Sequence, residues 1–488
     1  GTMRQWKRGS LVALAFCGLM AGVVTAGPVF DAVTPFQDAE RRGVDPALIS
    51  WGRQLLAIEF PYTWNEALEV LEKAYPYAGR NRLETWLKYG AEFIMIDGEP
   101  RYFSAVVNSF AHRHGDIMRR KNQEEGRAAE KFAAPLRSMA FSGPEESYPA
   151  STFQPFINPI TYLGTQTLRI PRSALSADGT LKLWFPLPIA TGDQDTVRVL
   201  SVTPERWVRG LPTVDEDLGQ LYMEVPLQEL SGDLDIRLTF TFRHWERRSV
   251  VDPARVGTYD VASELYRRYT APGVHTPLTR EIVDKAREIV GDEKNPWVAA
   301  RKIYDYMLKH VRYSFTPHLS LGFTGTPEAL YVLRNGFGDC GAQSMLFSAL
   351  CRAVGIPART TGGYQMVPRH GGTHFWAEFY LPAYGWIPVD VTMADTASWA
   401  DIPDEERISF ENYCFGNMDP FRMVIQTDVE IPLQPRPESP VLLMAPSGVP
   451  MVFQTPALVA PHFAVTPMEL VTDLCEKYWT QDVVPLDH

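Results

Sequence analysis

The sequence has few cysteines and lacks any closely spaced pair of them. Five cysteines occur among 488 residues, and the four beyond the N-terminal segment are far apart: Cys340, Cys351, Cys414 and Cys475. A disulfide framework or a zinc ribbon requires regularly spaced cysteines, typically with C-x-x-C pairs. We therefore expect neither of these arrangements, and we predict no metal ion and no other cofactor.

Positive charge is also scarce. Lys and Arg number 47 against 58 Asp and Glu, which gives a net charge of -11. A surface that binds nucleic acid neutralises phosphates with clustered Lys and Arg side chains. Nucleic acid is therefore not an expected partner.

The apolar run near the start of the chain is short for a spanning helix. The run Leu11 to Val24 falls below the ~20 residues that such a helix needs. It follows the basic residues Arg4 and Lys7 and precedes Ala26, which is the layout of a secretory signal. We expect cleavage after Ala26, and hence a periplasmic or secreted protein with no stable transmembrane span.

Two other interpretations of residues 1–26 compete with the signal peptide. The segment could stay in place as a membrane anchor, although small residues close the apolar run. It could also be lipidated at Cys17, but bulky Phe16 stands where lipoprotein signals have a small residue. Gly1-Thr2, before the first Met, is interpreted as a cloning remnant.

The length and the change of pattern along the chain predict several folded units. At a prior of about 150 residues per domain, 488 residues correspond to roughly three units. We predict an α+β multidomain protein, with these bounds after the signal: a helical N-terminal region at 27–145, a β-sandwich at 155–250, a core domain at 255–425, and a Pro-rich C-terminal extension at 426–488.

The periodicity of apolar residues carries these assignments. In the first region, Leu55, Ile58, Leu68 and Leu71 recur at helical spacing. From residue 165 to 247, short alternating runs between turn residues favour a small β-sandwich. In the extension, closely spaced prolines exclude long helices and central strands, so that we expect extended segments along the surface.

Cys340 is predicted to lie at the start of a helix. Asp339 precedes it as the N-cap, and apolar residues follow at helical spacing as far as Gly355. The positive end of a helix stabilises thiolate, so we expect a lowered pKa for Cys340, partly opposed by Asp339. The alternative is a buried, inert cysteine, an interpretation that suits Cys351 better.

His374 and Asp390 are predicted to face each other across a hairpin. Residues 373–381 alternate as a strand that begins near His374, and residues 386–390 read as the returning strand. A thiol, an imidazole and a carboxylate in this order fit the logic of nucleophile, base and orienting acid.

Other residues compete for these roles. Glu378 lies four residues along the strand from His374, or ~13 Å, which is too far for a hydrogen bond to the imidazole. His370 lies in a Gly-containing turn, which is a poor support for a catalytic base. The two histidines could also bind a metal with Cys340, but the usual second cysteine is absent nearby.

Four sequence blocks resemble the transglutaminase-like superfamily, which has a papain-like core. The blocks are Gly338-Asp339-Cys340, Gly355-Ile356-Pro357-Ala358-Arg359, His374-Phe375-Trp376-Ala377-Glu378, and Gly385-Trp386 leading to Asp390. The resemblance covers about residues 280–425. It implies a cysteine helix packed against an antiparallel sheet or small barrel, with a triad at Cys340, His374 and Asp390.

The resemblance also implies further features of the site. The backbone N–H of the cysteine would stabilise an oxyanion together with a second donor, for which Tyr313 is the candidate. Trp376 and Trp386 are candidates for lining the substrate cleft. Calcium activation is not expected, because no clustered acidic loop is evident in the sequence.

These features predict an exported cysteine-dependent acyl-transfer enzyme that acts on peptide or side-chain amides through a thioester. A protease or amidase is favoured, with a protein or peptide substrate for which cell-wall peptide is one candidate. A cross-linking transglutaminase and a non-catalytic peptide- or cell-wall-binding module are the alternatives. The oligomeric state is left open.

Overall fold

The fold is that of a computed structural model. It describes residues 29–31, 40–41, 43, 45–124, 155–324, 326–367, 371–399, 402–437, 453–461, 470 and 473–486. The predicted signal peptide, His370 and the side chain of Cys475 lie outside the described residues. Within these ranges no helix is long and apolar enough to cross a membrane.

The N-terminal region combines helices with a small sheet. Its helices are α1 (Pro46–Glu59), α2 (Trp64–Ala74), α3 (Arg80–Tyr89), α4 (Val106–Arg113) and α5 (Gly115–Glu124), and its strands are β1 (Val29–Asp31), β2 (Phe93–Ile96) and β3 (Glu99–Tyr102). Helix α2 begins at a capping box in which Thr63 and Glu66 satisfy each other's backbone N–H groups. The sheet has the order β1-β2-β3.

The helical prediction for this region missed the β2–β3 hairpin. Asp97 and Gly98 form its two-residue turn, both with positive φ (52° and 82°), as the turn favoured in hairpins requires. The strands are only four residues long, so that alternation within them is too brief to stand out. Asp97-Gly98 was the one local signal for the hairpin.

Two packed sheets form the predicted β-sandwich. Its first strands are β4 (Phe156–Ile170), β5 (Thr180–Pro186), β6 (Gln194–Thr203), β7 (Gln220–Pro226) and β8 (Leu234–Arg247). Alternate residues of β8 are buried along most of its length, which matches the period of a strand with one face on the core. The core between the sheets holds Trp184, Phe240 and Phe242, all without exposed surface.

The C-terminal extension completes the sandwich. Strands β15 (Ala457–Val459) and β16 (Trp479–Pro485) lie at sheet edges, in the orders β15-β5-β7 and β16-β4-β8-β6. Edge positions tolerate a proline such as Pro485, because one side of an edge strand needs no ladder hydrogen bond.

The core domain places helices against a four-stranded antiparallel sheet. Its helices are α6 (Glu264–Thr270), α7 (Arg280–Val290), α8 (Pro296–His310), α9 (His318–Thr324), α10 (Glu328–Asn335), α11 (Cys340–Ala353), α12 (Val391–Asp395) and α13 (Asp404–Tyr413). Its strands are β9 (Arg312–Tyr313), β10 (Phe337–Gly338), β11 (Ala358–Gln365), β12 (Gly372–Leu381), β13 (Gly385–Val389) and β14 (Arg422–Gln426), and the four-stranded sheet has the order β13-β12-β11-β14. The predicted α+β fold class is confirmed, because a cysteine helix packs on an antiparallel sheet. A sandwich and a helical region precede them in the chain.

The cysteine helix, α11, lies at the centre of the core. Every residue from Gly341 to Arg352 is buried, and a helix buried on all sides is typical of the interior of a large protein. Asp339 caps it as predicted, since its Oδ1 accepts the N–H of Ala342 at 3.0 Å. The helix therefore fixes its first residue, Cys340, against the sheet.

Strand β14 joins the core domain to the sandwich. Met423 and Ile425 are fully buried in the core of the sandwich, while Gly363 of β11 pairs with Val424. At this crossing, a Cβ atom on Gly363 would lie 1.8 Å from the carbonyl oxygen of Met423. Only glycine permits such a close approach between the two strands.

This crossing gives a test of the fold. We expect Gly363→Ala to lower the free energy of unfolding by about 1–3 kcal/mol or more, because the added methyl group must push two backbones apart. Gly232→Ala is the matched control, since a Cβ there meets nothing within 4 Å. Urea denaturation measures both variants, and equal stability of the two would contradict the predicted strain at Gly363.

Candidate active site

Cys340 lies half-buried at the first turn of its helix. Its sulfur accepts a hydrogen bond from the backbone N–H of Phe375, the residue that follows His374. Burial raises the pKa of the Cys340 thiol, the adjacent Asp339 raises it further, and the N–H groups of Phe375 and Gly341 act in the opposite direction. The expectation of a lowered pKa from the helix terminus is therefore wrong, because desolvation and Asp339 outweigh the helix terminus.

The hairpin brings His374 and Asp390 together. Ala377 of β12 pairs with Val389 of β13, and Asp390 follows directly as the N-cap of α12. His374 Nε2 lies 2.8 Å from Asp390 Oδ2. With Nε2 engaged by the carboxylate, Nδ1 is the ring nitrogen left to exchange a proton with a neighbouring thiol.

The competing carboxylate has a different partner. Glu378 accepts two hydrogen bonds from Arg359, at 3.0 and 2.7 Å, and both side chains are about one-tenth exposed. Arg359 also lies over the ring of Trp386, 3.9 Å from its centroid. Glu378 thus belongs to a separate ion pair further along the strand.

A buried arginine that the sequence analysis missed holds Asp390 from the other side. Arg422 donates from Nη1 to Asp390 Oδ2 at 2.6 Å and from Nη2 to Asp419 Oδ2 at 2.7 Å, and it is only 1% exposed. Burial alone would raise the pKa of Asp390, but His374 and Arg422 hold that pKa well below its usual range. Asp390 is thus an anion shared between His374 and Arg422.

The C-terminal extension also reaches the site. Gln454 is buried and donates from Nε2 to the carbonyl oxygens of Gly363 and His374, both at 2.8 Å. The preceding residue, Phe453, donates its N–H to Gln426 Oε1 at 3.1 Å. The tail therefore binds the backbone of the strand that carries His374.

Tyr313, the candidate second oxyanion donor, lies close to the nucleophile. Strands β9 and β10 pair in parallel with Tyr313 opposite Gly338, which places it beside the start of the cysteine helix. Asp395 fixes its backbone by accepting the Tyr313 N–H at 3.1 Å. Burial raises the pKa of Tyr313 well above its usual value, with contributions from Cys340 and Asp339. Its hydroxyl therefore stays protonated and able to donate.

The structure corrects the two predicted cleft tryptophans. Trp376 has no exposed surface and packs with Ile189, Met418 and Val424, beneath the guanidinium of Arg422. Trp376 packs against the arginine that holds Asp390 and does not line an open cleft. Strand alternation had indicated its face but could not show that the sandwich covers that face.

Trp386 lies away from the site. It pairs with Tyr380 near the far end of the hairpin, six residues along β12 from His374, or ~20 Å at the rise of a strand.

Among the described residues, no group of three or more His, Cys, Asp or Glu side chains could hold a metal ion.

Residues 283–391 match the family model described as the transglutaminase-like superfamily. An uncharacterised protein of Haemophilus influenzae is 25% identical over 314 residues, which cover 57% of this chain and 82% of that protein. A protein-glutamine gamma-glutamyltransferase of Pseudomonas aeruginosa is 26% identical over 169 residues, which cover 32% of this chain and 23% of that protein. This chain therefore spans under a quarter of the second relative.

Two solved structures were also found to be similar. A crystal structure from Cytophaga hutchinsonii, assigned provisionally as a cysteine protease, has a TM-score of 0.43 at 16% identity and covers 68% of this chain and 93% of that one. The periplasmic domain of TgpA from Pseudomonas aeruginosa has a TM-score of 0.26 at 15% identity, with 52% and 92% covered. Residues 283–391 of this chain are thus similar to the transglutaminase-like superfamily, which supports a cysteine-dependent enzyme.

The buried ion network predicts a large stability effect at Arg422. Arg422→Met should lower the free energy of unfolding by about 3–5 kcal/mol at pH 7, because it leaves Asp390 and Asp419 buried without their cation. Asp390 has a depressed pKa in the folded state, so the stability its charge contributes is present above about pH 4 and is lost as the pH falls.

The loss caused by Arg422→Met should therefore shrink in acid. Arg280→Met is the control, because Arg280 is 94% exposed and pairs with Asp284 on the surface, a kind of contact worth about 0–1 kcal/mol. Urea denaturation at pH 7 and pH 3 measures both variants. A loss at Arg422 no greater than at Arg280 would refute the buried network as a stabilising unit.

Proposed function

We propose that this protein is an exported cysteine hydrolase that cleaves peptide or side-chain amides through a thioester on Cys340. The observation that carries the proposal is the arrangement of Cys340, His374 and Asp390 around the start of β12. The Cys340 sulfur contacts the N–H of Phe375, and the preceding residue, His374, is hydrogen-bonded to Asp390. The secretory layout of residues 1–26 supports export to the periplasm or the medium.

The proposed reaction begins with a protonated thiol. As Sγ of Cys340 bonds to the amide carbon, its proton passes to Nδ1 of His374, so that no free thiolate has to exist in the buried resting site. The negative charge moves to the carbonyl oxygen, where the backbone N–H of Cys340 and the hydroxyl of Tyr313 would donate to it.

Collapse of this intermediate completes acylation. The C–N bond breaks, the amine leaves with the proton from His374, and a thioester on Cys340 remains. Water then gives a proton to His374 and bonds to the thioester carbon; the C–S bond breaks, and the proton returns to sulfur. Asp390 stays ionised and stabilises each transient imidazolium. Its hydrogen bond with Arg422 favours this ionised form.

The alternative is transamidation, in which a primary amine replaces water at the thioester. The relative named protein-glutamine gamma-glutamyltransferase favours this second candidate. Hydrolysis is preferred because water is abundant wherever a thioester is reachable, whereas transfer to an amine also requires a binding site that concentrates the amine. Both reactions use the same acylation step.

Variants of the triad test the acylation step. Cys340→Ala and His374→Ala should abolish turnover, and Asp390→Asn should lower kcat by about 10³-fold or more, because the imidazole loses its orienting anion. Cys351→Ala is the matched control, a buried thiol on the same helix that should retain activity. Release of ammonia from glutamine-containing peptides, cleavage of a peptide library and incorporation of a primary amine are measured together.

Each possible outcome separates the candidate functions. Hydrolysis that exceeds amine incorporation supports the hydrolase, whereas incorporation that outruns hydrolysis assigns the protein as a cross-linking enzyme. Tight peptide or cell-wall binding that is unaffected by Cys340→Ala, without any turnover, would establish the binding module and overturn the proposal.

The phenol of Tyr313 provides an independent test of the oxyanion site. Tyr313→Phe removes one hydroxyl and should lower kcat by about 10²–10³-fold with little change in KM, since the lost hydrogen bond forms only in the transition state. Tyr306→Phe, which alters a partly buried tyrosine on α8, is the control. An unchanged kcat in Tyr313→Phe would remove this residue from the mechanism.

A further inference from the structure

A second histidine lies beside the nucleophile, outside the proposed triad. His318 is the first residue of α9 and is largely buried. Its Nε2 lies 2.6 Å from Oδ2 of Asp339, the residue directly before Cys340. Asp339 thus uses one carboxylate oxygen to cap the cysteine helix and the other to bind His318.

Carboxylates face His318 from three separate elements. Asp339 approaches from the cysteine helix, and Glu328, at the start of α10, places Oε1 3.8 Å from His318 Nδ1. Glu59 from α1 accepts the backbone N–H groups of Leu319 and Ser320 at 3.1 and 2.8 Å. Two carboxylates therefore lie beside the His318 ring, and a third binds the backbone that follows it.

The charge of His318 follows from these neighbours. Burial lowers its pKa, but Asp339 and Glu328 outweigh burial and raise it to about 10. For Glu328, burial acts upward, yet His275 and His318 bring its pKa down to about 2. Burial raises the pKa of Glu59 despite its hydrogen bonds. At neutral pH, His318 is thus a cation between the anions Asp339 and Glu328.

Asp339 has two opposing effects at Cys340: it caps the helix, and its negative charge opposes ionisation of the thiol. The positive charge of His318 reduces the second effect. The carboxylate of Asp339 is needed as the helix cap, and its negative charge, after burial, is the next cause that opposes ionisation of Cys340. An opposite charge at hydrogen-bond distance reduces the field that Asp339 exerts on the sulfur.

We propose that His318 is a positioning residue that fixes Asp339 and offsets its charge, so that negative charge can develop on the sulfur of Cys340. The inference rests on the proposed role of Cys340 as nucleophile. The contact through which His318 acts is its hydrogen bond with Asp339.

Charge-changing substitutions at both partners test this inference. His318→Asn keeps a side-chain donor but removes the positive charge, and Asp339→Asn keeps a competent helix cap but removes the negative charge. The measured quantity is the rate at which iodoacetamide alkylates Cys340 in the full chain, followed by peptide mass spectrometry across pH. His310→Asn, which alters an exposed histidine on α8, is the control.

The expected shifts have opposite signs. His318→Asn should slow alkylation of Cys340 by about tenfold at pH 8 and move the midpoint of the profile upward by about one unit. Asp339→Asn should speed alkylation, and the double variant should lie near the wild type, because the two removed charges compensate. The control should follow the wild-type profile.

Other outcomes overturn the inference. A lower melting temperature in His318→Asn with an unchanged alkylation profile would make the histidine merely structural. If His318→Asn does not fold, an unchanged profile in Asp339→Asn would refute the inference equally. Alkylation requires no substrate, so absence of amide turnover in the wild type would count against the proposed function and not against the charge coupling.

Discussion

The carboxylate of Asp390 is the contact on which the candidate site depends. One of its oxygens, Oδ2, meets both His374 and Arg422, and the other accepts the N–H of Met393 and so begins a short helix. A buried anion with this many partners costs little only while all of them are present. The hairpin, the next helix and strand β14 are therefore fixed relative to one another by a single side chain.

Arg422 extends this dependence to the β-sandwich. It belongs to β14, whose next residues enter the core of the sandwich, and its guanidinium lies over Trp376. The sandwich is thus part of the support for the imidazole and not a separate recognition module attached to it. This arrangement explains why Trp376, which lies in one of the family sequence blocks, is buried and packs against Arg422.

The parts of the site that the sequence predicted depend on short-range patterns. An Asp before Cys340, a helical stripe after it and two alternating runs joined by a turn sufficed to predict the helix, the hairpin and the facing pair His374 and Asp390. Each of these features, the helix and the hairpin, arises within about twenty residues of sequence, where local geometry restricts the possible arrangements.

Residues that reach the site from distant parts of the chain were not predictable in this way. Arg422 meets Asp390 across 32 positions and Gln454 meets His374 across 80, and neither lies in a pattern that indicates its partner. The direction of the pKa shift at Cys340 was missed for the same reason. Local sequence shows the helix terminus, whereas burial by the rest of the fold determines the stronger effect.

The contact of Gln454 with the strand of His374 has a consequence for the timing of assembly. A chain that is synthesised from its N-terminus presents Cys340, His374 and Asp390 well before residue 454 arrives. Until then, the carbonyl groups of Gly363 and His374 lack the amide that joins them. The hydrogen bonds from Gln454 to this backbone therefore form only after nearly the whole chain has been synthesised.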